Sequence, residues 1–459
     1  MRKLDALISG AAVLVLVPDP AKAADPAGHD DSPSSGPNFI IIFVDDLGYN
    51  DLGFRNPSFY TPNIDALASE SVEFVNAYVP SPTSSPSRAA LLTGKYPVKY
   101  GITRHINNRN PDPFGTGEYE ILETDPGHIP NRKFLPKSEV TAAEVLRQQG
   151  YRTVAIGKWH LGTRDYYPDK QGFDEMYGES DLGNPVSYFP DYFRRGGTRN
   201  DCGEYLTDWL TDFAVNVIKE NDYSRSPLFL YLAHYGVHSP HQAPEEMVSK
   251  YREKGLDERY AVYHAMVESV DISTGRIMAA LKEAGVEDET VLVFVSDQGG
   301  FFSNEPLRGG KLTGALYEGG AKVPFFVKTP DTAGHMVMED RITTMDLFPT
   351  FMDYAGVPSG CRPELDGQSL YGLLHGGSYE KRPIFFYRSY EDQPAAVIYG
   401  DYKFIWSRCG NYELYNLVSD PYESTDLSGS CSRGDRRAYK QCYKLLRDFL
   451  SRYEPAPVY

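Results

Sequence analysis

Polar side chains that could bind a metal ion or an anion directly follow four short apolar runs of this chain. Residues 39–44 lead to Asp45 and Asp46, residues 153–156 to Lys158 and His160, residues 228–232 to His234 and His238, and residues 291–295 to Asp297 and Gln298. If the runs are parallel strands, these side chains meet beyond the carboxyl ends of the sheet, where ligands bind in open α/β folds. We therefore expect one site built from all four segments.

Asp45 and Asp46 are adjacent carboxylates, which repel each other unless a cation lies between them. Together with Asp297 and the amide oxygen of Gln298 they supply hard oxygen ligands, which suit Ca²⁺ or Mg²⁺. A purely structural interpretation is also open, in which Asp46 caps a turn and Asp297 precedes the turn at residues 299–300.

A short helix is predicted over residues 84–94, whose sequence is SSPSRAALLTG. Ser85 suits the N-cap, Pro86 the first helical position and Gly94 the C-terminal end. Ser84 would then lie just ahead of a helix N-terminus, where free N–H groups and the helix dipole attract an anion. A capped helix without any catalytic role accounts for the same residues.

The alternation of apolar runs with helical patterns predicts an α/β fold with a large, mainly parallel sheet sandwiched by helices. A further strand is expected over 323–327, and helices are expected over 63–70, 141–149, 205–219, 258–284 and 343–355. After about residue 380 the pattern changes to short aromatic strands over 383–387, 396–399 and 402–406, followed by a helix over 434–452. We predict a large domain over 38–378 and a small antiparallel α+β subdomain over 379–459.

The N-terminus resembles a secretory signal. Arg2 and Lys3 precede an apolar run over 6–17, and small residues lead to a predicted cleavage after Ala23. The run is shorter than the roughly 20 residues that span a bilayer, which argues against the alternative of a membrane anchor. We predict a signal peptide over 1–23, a flexible leader over 24–37, and export to the periplasm or the extracellular space.

Charge and cysteine content restrict the partners and the compartment. The net charge of −17 argues against nucleic acid, although a pocket can be locally basic in an acidic protein. The chain has 5 cysteines, and three of them fall near the C-terminus, so a disulfide between Cys409 and either Cys431 or Cys442 is expected.

Two long motifs resemble signatures of the formylglycine-dependent type I sulfatases, a family of the alkaline phosphatase superfamily. They are Ser84-x-Pro86-Ser87-Arg88-x-x-Leu91-Leu92-Thr93-Gly94 and Gly157-Lys158-Trp159-His160-Leu161-Gly162. The resemblance continues in order through segments near residues 44–49, 61–65, 296–299, 308–311, 318–320, 346–350 and 413–417. It therefore covers nearly the whole chain after the leader and implies an alkaline-phosphatase-like fold.

The resemblance implies roles for individual residues. Residue 84 would be oxidised to formylglycine by a maturation enzyme, and its hydrated form would attack sulfur and also bind the Ca²⁺. Lys158, Lys311 and His238 would bind the sulfate group, and Arg88 would hold the formylglycine hydroxyl and a metal-bound aspartate. His238 would be the acid and His160 the base. His234 and His241 remain competitors, because Val237 stands where the family usually has proline.

A sulfated carbohydrate is the expected substrate, because the chain is predicted to be exported and its Tyr-rich loops could stack on sugar rings. No membrane partner is expected, and the oligomeric state stays open. Arg104, His105 and Arg109, and in the Tyr-rich segment 164–204 Arg194, Arg195 and Arg199, could contact a second anionic group of the substrate. Two alternatives stay open. The chain could be a phosphate or phosphonate monoester hydrolase of the same superfamily, or an inactive glycan-binding protein if Ser84, which could stand in for a cysteine, is not converted.

Overall fold

An eight-stranded mixed sheet forms the centre of the computed structural model, which describes residues 36–107, 110–193, 203–302 and 304–458. The strands of this sheet are β1 (Asn38–Val44), β2 (Val72–Tyr78), β5 (Arg152–Gly157), β6 (Glu175–Tyr177), β7 (Leu228–Ala233), β8 (Thr290–Ser296), β9 (Phe325–Lys328) and β10 (Met336–Thr343). Two short strands, β3 (Tyr119–Glu120) and β4 (Asn131–Arg132), pair separately. The predicted signal peptide and most of the predicted leader lie outside the described residues.

Helices pack on both faces of this sheet. They are α1 (Pro62–Ser69), α2 (Ser84–Thr93), α3 (Ala142–Gln148), α4 (Leu206–Glu220), α5 (Glu245–Glu253), α6 (Glu258–Ala284), α7 (Glu318–Ala321), α8 (Leu347–Tyr354) and α9 (Tyr371–Leu374). Side chains alternate along each strand, so the two faces of β1 bury different residues: Phe39, Ile41 and Phe43 on one side, Ile40, Ile42 and Val44 on the other. This burial on both faces explains why the central strands read as continuous apolar runs.

The sheet order is β10-β2-β9-β8-β1-β7-β5-β6. β1 pairs in parallel with β7 and β8, and β5 pairs in parallel with β6 and β7, whereas β9 is antiparallel to both of its neighbours. The predicted mainly parallel α/β fold is confirmed. β2, β6 and β10 were not expected. β6 and β10 lie at the two edges of the sheet with most of their residues partly exposed, so they lack apolar runs.

A second, four-stranded antiparallel sheet follows in the order β11 (Ile384–Tyr387), β12 (Ala395–Tyr399), β13 (Tyr402–Trp406) and β14 (Tyr412–Asn416). The long helix α10 (Arg433–Tyr453) buries Cys442, Leu446, Phe449 and Leu450 against it. The predicted small α+β unit is therefore present, and β14 extends it by one strand beyond the prediction.

Buried charges join this second sheet to the rest of the fold. Lys403 on β13 is fully buried and bridges Glu318 at 3.1 Å and Glu423 at 2.9 Å. Glu423 also accepts the backbone N–H of Glu318 at 2.7 Å, and the Tyr78 hydroxyl donates to Glu318 at 3.0 Å. Glu318, Lys403 and Glu423, here called the inter-sheet cluster, thus connect α7 to β13 and to the segment after β14.

The predicted disulfide at the C-terminus is wrong. Cys361, Cys409, Cys431 and Cys442 are all free thiols. Cys442 points into the apolar core under α10, whereas Cys409 and Cys431 are exposed, so Cys442 does not face either of them. Cys202 lies outside the described residues. Over the part of the chain that the structure describes, no helix is both long and apolar enough to cross a membrane.

Candidate active site

Three carboxylates meet where β1 and β8 end. One oxygen each from Asp45, Asp46 and Asp297 lies within 4.8 Å of the others, and all three side chains are buried. The parallel pairing of β1 with β8 aligns Val44 with Ser296, which places the residues that follow side by side. The Asp46 N–H donates to Asp297 Oδ1 at 3.1 Å. The predicted convergence of these two chain segments is therefore observed.

Three cations surround these carboxylates. Arg88 is completely buried on α2 and donates to Asp297 Oδ2 at 2.9 Å, with Asp45 Oδ2 at 3.6 Å. The ammonium of Lys158 contacts Asp45, and that of Lys311 contacts Asp46. Asp45, Asp46, Asp297, Arg88, Lys158 and Lys311 are here called the pocket cluster. Their formal charges cancel, so a divalent cation added to them would leave this end of the sheet positive.

The charges of the pocket cluster shift one another's pKa values. Burial raises the pKa of Asp45, but the combined attraction of Lys158, His238 and Arg88 leaves that pKa below the usual value. Burial and the nearby charge of Asp45 raise the pKa of Asp297. Burial lowers the pKa of Lys158. Burial also acts to lower the pKa of Lys311, but the three carboxylates together offset it and raise that pKa.

Ser84 lies in the middle of these groups. Its Oγ is 3.3 Å from Lys158 Nζ, 3.4 Å from Asp45 Oδ1 and 3.5 Å from Gln298 Nε2. The helix α2 starts at Ser84 itself, with Thr83 as N-cap, so the prediction that Ser85 is the N-cap is wrong. Ser85 Oγ instead accepts the N–H of Ile106 at 2.9 Å. Gly94 closes the helix in the left-handed conformation, as expected.

His160 and His238 both line the cavity that contains Ser84. His160 Nε2 is 2.8 Å from the carbonyl oxygen of Ile106, to which it can only donate, and the buried Nδ1 has no hydrogen-bond partner among the described residues. His238 Nδ1 likewise donates to the carbonyl of Ser239 at 2.7 Å, and its Nε2 is 3.8 Å from Asp46. Burial lowers the pKa of both rings.

The two competing histidines lie elsewhere. His234 is fully buried beside Ser273 of α6, with 3.0 Å between Nε2 and the serine hydroxyl. His241 packs against the rings of Tyr263, Phe301 and Phe302. Neither lines the cavity that contains Ser84. The sequence could not separate them, because all three histidines follow the same strand.

Glycines shape two turns around the site. Gly157 ends β5 with φ +91°, and a Cβ there would lie 2.1 Å from the carbonyl oxygen of Ala233. Only glycine fits this turn, which directs Lys158 towards Asp45. A Cβ on Gly183 would lie 2.2 Å from the ring of His160, so this glycine lets the segment after β6 close over that ring.

The cavity above Ser84 has a volume of about 760 Å³. Its lining residues are Thr83, Ser84, His105, Ile106, Asn107, His160, Asp181, Leu182, Gly183, Asn184, Pro185, Val186, His238, Ser239, Pro240, Gln298, Lys311 and Tyr390. Residues 181–186 belong to the Tyr-rich segment 164–204, in which substrate contacts were expected. Sequence reasoning missed Asn107, Asp181, Asn184 and Tyr390, because no motif marks them and Tyr390 comes from the loop after β11.

The basic residues that were expected to contact the substrate lie in different surroundings. Arg104 is completely buried and pairs with Glu120 at 3.4 Å, so the expectation that it reaches substrate is wrong. His105 lines the cavity and packs edge-on against Tyr390, with 5.4 Å between ring centroids. Arg109, Arg194, Arg195 and Arg199 lie outside the described residues.

The buried carboxylates fit a hard divalent cation. They offer three oxygen ligands. Two of the carboxylates already bind positive charge, since the ammonium groups of Lys158 and Lys311 contact Asp45 and Asp46. Gln298 Nε2 is 2.6 Å from Asp46 Oδ1. Rotating this amide by half a turn would present its oxygen, and the set would then contain four oxygen donors and no sulfur or imidazole ligand.

Two family models match the chain. The model described as "Sulfatase" matches residues 37–357, and the model described as "N-sulphoglucosamine sulphohydrolase, C-terminal" matches residues 314–449. The chain is 32% identical over 426 residues to N-acetylgalactosamine-6-sulfatase of Mus musculus, covering 86% of this chain and 76% of the relative. It is 33% identical over 456 residues to arylsulfatase A of Homo sapiens, covering 86% and 83%.

Solved structures resemble the whole described fold. The crystal structure of a protein named Ps i-CgsB superposes with a TM-score of 0.78 at 30% sequence identity and covers 93% of this chain and 95% of that one. The same protein in complex with k-i-k-neocarrahexaose superposes with a TM-score of 0.77 at 29% identity, with the same coverage.

Proposed function

This chain belongs to the sulfatase family and is therefore a sulfuric ester hydrolase, and we propose that its substrate is a sulfate ester on a saccharide. One observation carries the proposal: Ser84 lies at the base of a cavity of about 760 Å³, beside the pocket cluster and two imidazoles. That volume falls within the roughly 300–1,000 Å³ typical of small-molecule sites. Relatives whose names specify an N-acetylgalactosamine sulfate or a carrageenan oligosaccharide support a sugar substrate.

The chemistry proposed for residue 84 is that of formylglycine. Once converted, residue 84 would supply a hydroxyl oxygen of its hydrated aldehyde as the nucleophile towards sulfur. The neighbours of Ser84 suit this role, because Lys158 and Asp45 lie within 3.4 Å of its Oγ and can orient a hydroxyl there by hydrogen bonds. Maturation by a formylglycine-generating enzyme belongs to the same proposal.

Asp45, Asp46, Asp297 and Gln298 are the proposed ligands of a Ca²⁺ ion, with residue 84 as a further ligand. A divalent cation held there would neutralise negative charge on the sulfate oxygens and favour binding of the ester. With such an ion on the carboxylates, the Lys158 and Lys311 ammonium groups become available to the sulfate. Arg88 stays on Asp297 and keeps that carboxylate ionised and oriented.

The two imidazoles are proposed to move protons. His238 would donate a proton to the departing sugar oxygen from Nε2, because its Nδ1–H is held by the Ser239 carbonyl. His160 would accept a proton at Nδ1, which is buried and has no partner among the described residues. Replacing His238 with alanine should then reduce turnover of sulfated sugars far more than turnover of aryl sulfates, whose leaving groups need no acid. Equal losses on both would contradict the assignment.

The first test measures kcat/KM on a panel of defined sulfated oligosaccharides, on an aryl sulfate and on an aryl phosphate, with and without a chelator. We expect sulfatase activity that chelation abolishes and Ca²⁺ restores. Preference for the phosphate ester would instead favour the phosphate or phosphonate hydrolase alternative.

A second test determines the chemical state of residue 84 by mass spectrometry of the peptide that contains it. Formylglycine is expected, seen as the loss of two hydrogens relative to serine. An unmodified serine in a protein that binds but does not turn over sulfated sugars would favour the glycan-binding alternative.

Export is proposed as well, on the sequence of residues 1–23 alone. A sulfated extracellular polysaccharide would then be accessible to the enzyme. N-terminal sequencing of protein secreted by an expressing cell should find a chain that starts at Ala24.

A further inference from the structure

The helix α10 carries most of its charge on one exposed face. Its 21 residues include seven Lys and Arg but only two Asp, in a chain whose net charge is −17. All seven are exposed, and six of them recur at short intervals along the helix, namely Arg433, Arg436, Arg437, Lys440, Lys444 and Arg447. This spacing places them along a single side of the helix, here called the basic stripe, which extends about 21 Å at 1.5 Å per residue.

The opposite side of α10 holds the second sheet. Cys442, Leu446, Phe449 and Leu450 are buried there, so the basic stripe faces away from the core. Asp435 also turns inward, where it accepts from the Tyr402 and Ser430 hydroxyls at 3.0 and 2.6 Å. Asp448 is therefore the one exposed carboxylate of the helix, and it lies at the edge of the stripe.

No carboxylate lies within 4.0 Å of the six stripe cations in the part of the chain that the structure describes. Some exposed cations on other helices are paired: Lys219 of α4 pairs with Glu283 at 2.5 Å, and Arg252 of α5 pairs with Glu258 at 2.6 Å. Like charges at i and i+4, such as Arg436 and Lys440, repel each other and destabilise a helix. A bound polyanion would remove this repulsion.

A solvated basic face is the ordinary explanation for exposed lysines and arginines. It does not account for the concentration of unpaired cations on one helix of a strongly acidic protein. A membrane surface fits less well, because the apolar side of α10 is already buried and cannot insert into lipid. A flexible sulfated chain matches both the sign and the linear arrangement of the stripe.

We propose that the basic stripe of α10 is a binding site for a sulfated polysaccharide, separate from the catalytic cavity. This inference rests on the proposed function, since it takes the polymer that bears the substrate sulfate as its ligand. The second sheet links the two sites: Tyr390 follows β11 and lines the cavity, and Glu454, next to the end of α10, accepts from the Tyr387 hydroxyl of β11 at 3.3 Å. The stripe would retain the polymer while sulfate groups are removed one after another.

The test compares a stripe variant with a control of equal charge change. The stripe variant combines Arg436→Glu, Arg437→Glu and Lys440→Glu, and the control combines Lys219→Glu, Arg225→Glu and Lys282→Glu at exposed positions of the large domain. A neutral variant with glutamine at the three stripe positions is measured as well, in case the three added carboxylates prevent the stripe variant from folding. Binding to iota-carrageenan and to its desulfated form is measured in the full chain with Ser84→Ala added, so that affinity does not depend on turnover.

We expect the stripe variant to bind the sulfated polymer at least ten times more weakly at 150 mM salt, and its log Kd to depend less steeply on log salt by about 2 to 3 units. The control should change affinity less than twofold. With serine at position 84 restored, kcat/KM on a short sulfated oligosaccharide should match that of the parent chain, whereas kcat/KM on the polymer should fall.

Equal weakening by the control variant would overturn the proposal, because net charge alone would then explain binding. So would undiminished polymer binding by the stripe variant, or tighter binding of the parent chain to anionic phospholipid vesicles than to the polymer. If the parent chain has no activity on short substrates, the proposed function is contradicted. The comparison of polymer binding between the stripe variant and the control would still decide whether the stripe binds the polymer.

Discussion

Two buried groups of charges in this molecule use the same residue types in different settings. The pocket cluster combines three carboxylates with Arg88, Lys158 and Lys311, and the inter-sheet cluster combines Glu318 and Glu423 with Lys403. The first lies at the base of a cavity of about 760 Å³, whereas the residues of the second line none of the main cavities of the described chain. A buried ion cluster can thus serve ligand binding where a cavity reaches it, and otherwise holds elements together.

The clearest way to separate the two clusters is to neutralise one carboxylate in each. Asp46→Asn should lower kcat/KM on a sulfated sugar about 10³-fold, because Asp46 contacts Lys311 and Gln298, which line the cavity. Glu423→Gln should change kcat/KM less than about threefold at pH 6. Similar losses in both variants would show that the inter-sheet cluster also takes part in catalysis.

Removing the cation of the inter-sheet cluster should affect stability more than activity. Lys403→Met leaves Glu318 and Glu423 without their shared partner and should lower the free energy of unfolding by about 3 kcal/mol. Urea denaturation measures the loss, and Lys381→Met at an exposed position is the control, with a change below about 0.5 kcal/mol. A stability loss no larger than that of the control would contradict the structural role.

The inter-sheet cluster should also make stability depend on pH. Burial raises the pKa of Glu423 to about 7, and the charge of Glu318, which shares Lys403 with it, acts in the same direction. The folded state therefore holds a proton that the unfolded chain releases above about pH 4.3, so this group's contribution to stability falls as pH rises from there to 7. Glu423→Gln imitates the protonated form. It should match the parent chain in urea at pH 4 and exceed it by about 1–2 kcal/mol at pH 7.5.

Glu289→Gln, at an exposed position near the start of β8, is the matched control for this pH effect. Its free energy of unfolding should follow that of the parent chain at both pH values. If Glu423→Gln follows the parent chain as well, Glu423 is ionised throughout and the cluster carries its net negative charge at neutral pH.

The smallest expected effect concerns the cavity wall. Gly183→Ala places a methyl group against the His160 ring, which can move aside, so stability should change by less than about 1 kcal/mol. Displacing the ring from the Ile106 carbonyl should lower kcat about tenfold with little change in KM. Gly360→Ala, at an exposed position where a Cβ would have no neighbour within 4 Å, is the control. Unchanged kcat would remove His160 from the list of candidate bases.

The sequence predicts the pocket cluster better than the rest of the cavity, for a physical reason. Asp45, Lys158 and Asp297 follow strands that are buried on both faces, so an apolar run marks each position and parallel pairing brings the ends together. Tyr390 and Asn184 lie in loops, where no periodicity records their direction. The edge strand β10 escaped notice because its side chains are partly exposed and mix polar with apolar residues.

Arg104 shows the limit of reasoning from charge alone. An arginine near the nucleophile helix suggested a contact with an anionic substrate, but Glu120 on β3 pairs with it inside the protein. The sequence does not reveal that pairing, because the two residues belong to an irregular segment between α2 and α3. The inter-sheet cluster was missed for the same reason, since its members come from a four-residue helix, a strand and a loop.

The bond from the Asp46 amide to the Asp297 carboxylate joins residues 251 positions apart. During synthesis or refolding, the chain must therefore close a very long loop before any three carboxylates meet, and such non-local contacts form slowly. An incompletely folded chain would carry Ser84 and Asp45 but have neither an ion site nor a binding cavity. Recovery of cation binding after denaturation should accordingly lag behind recovery of helical structure.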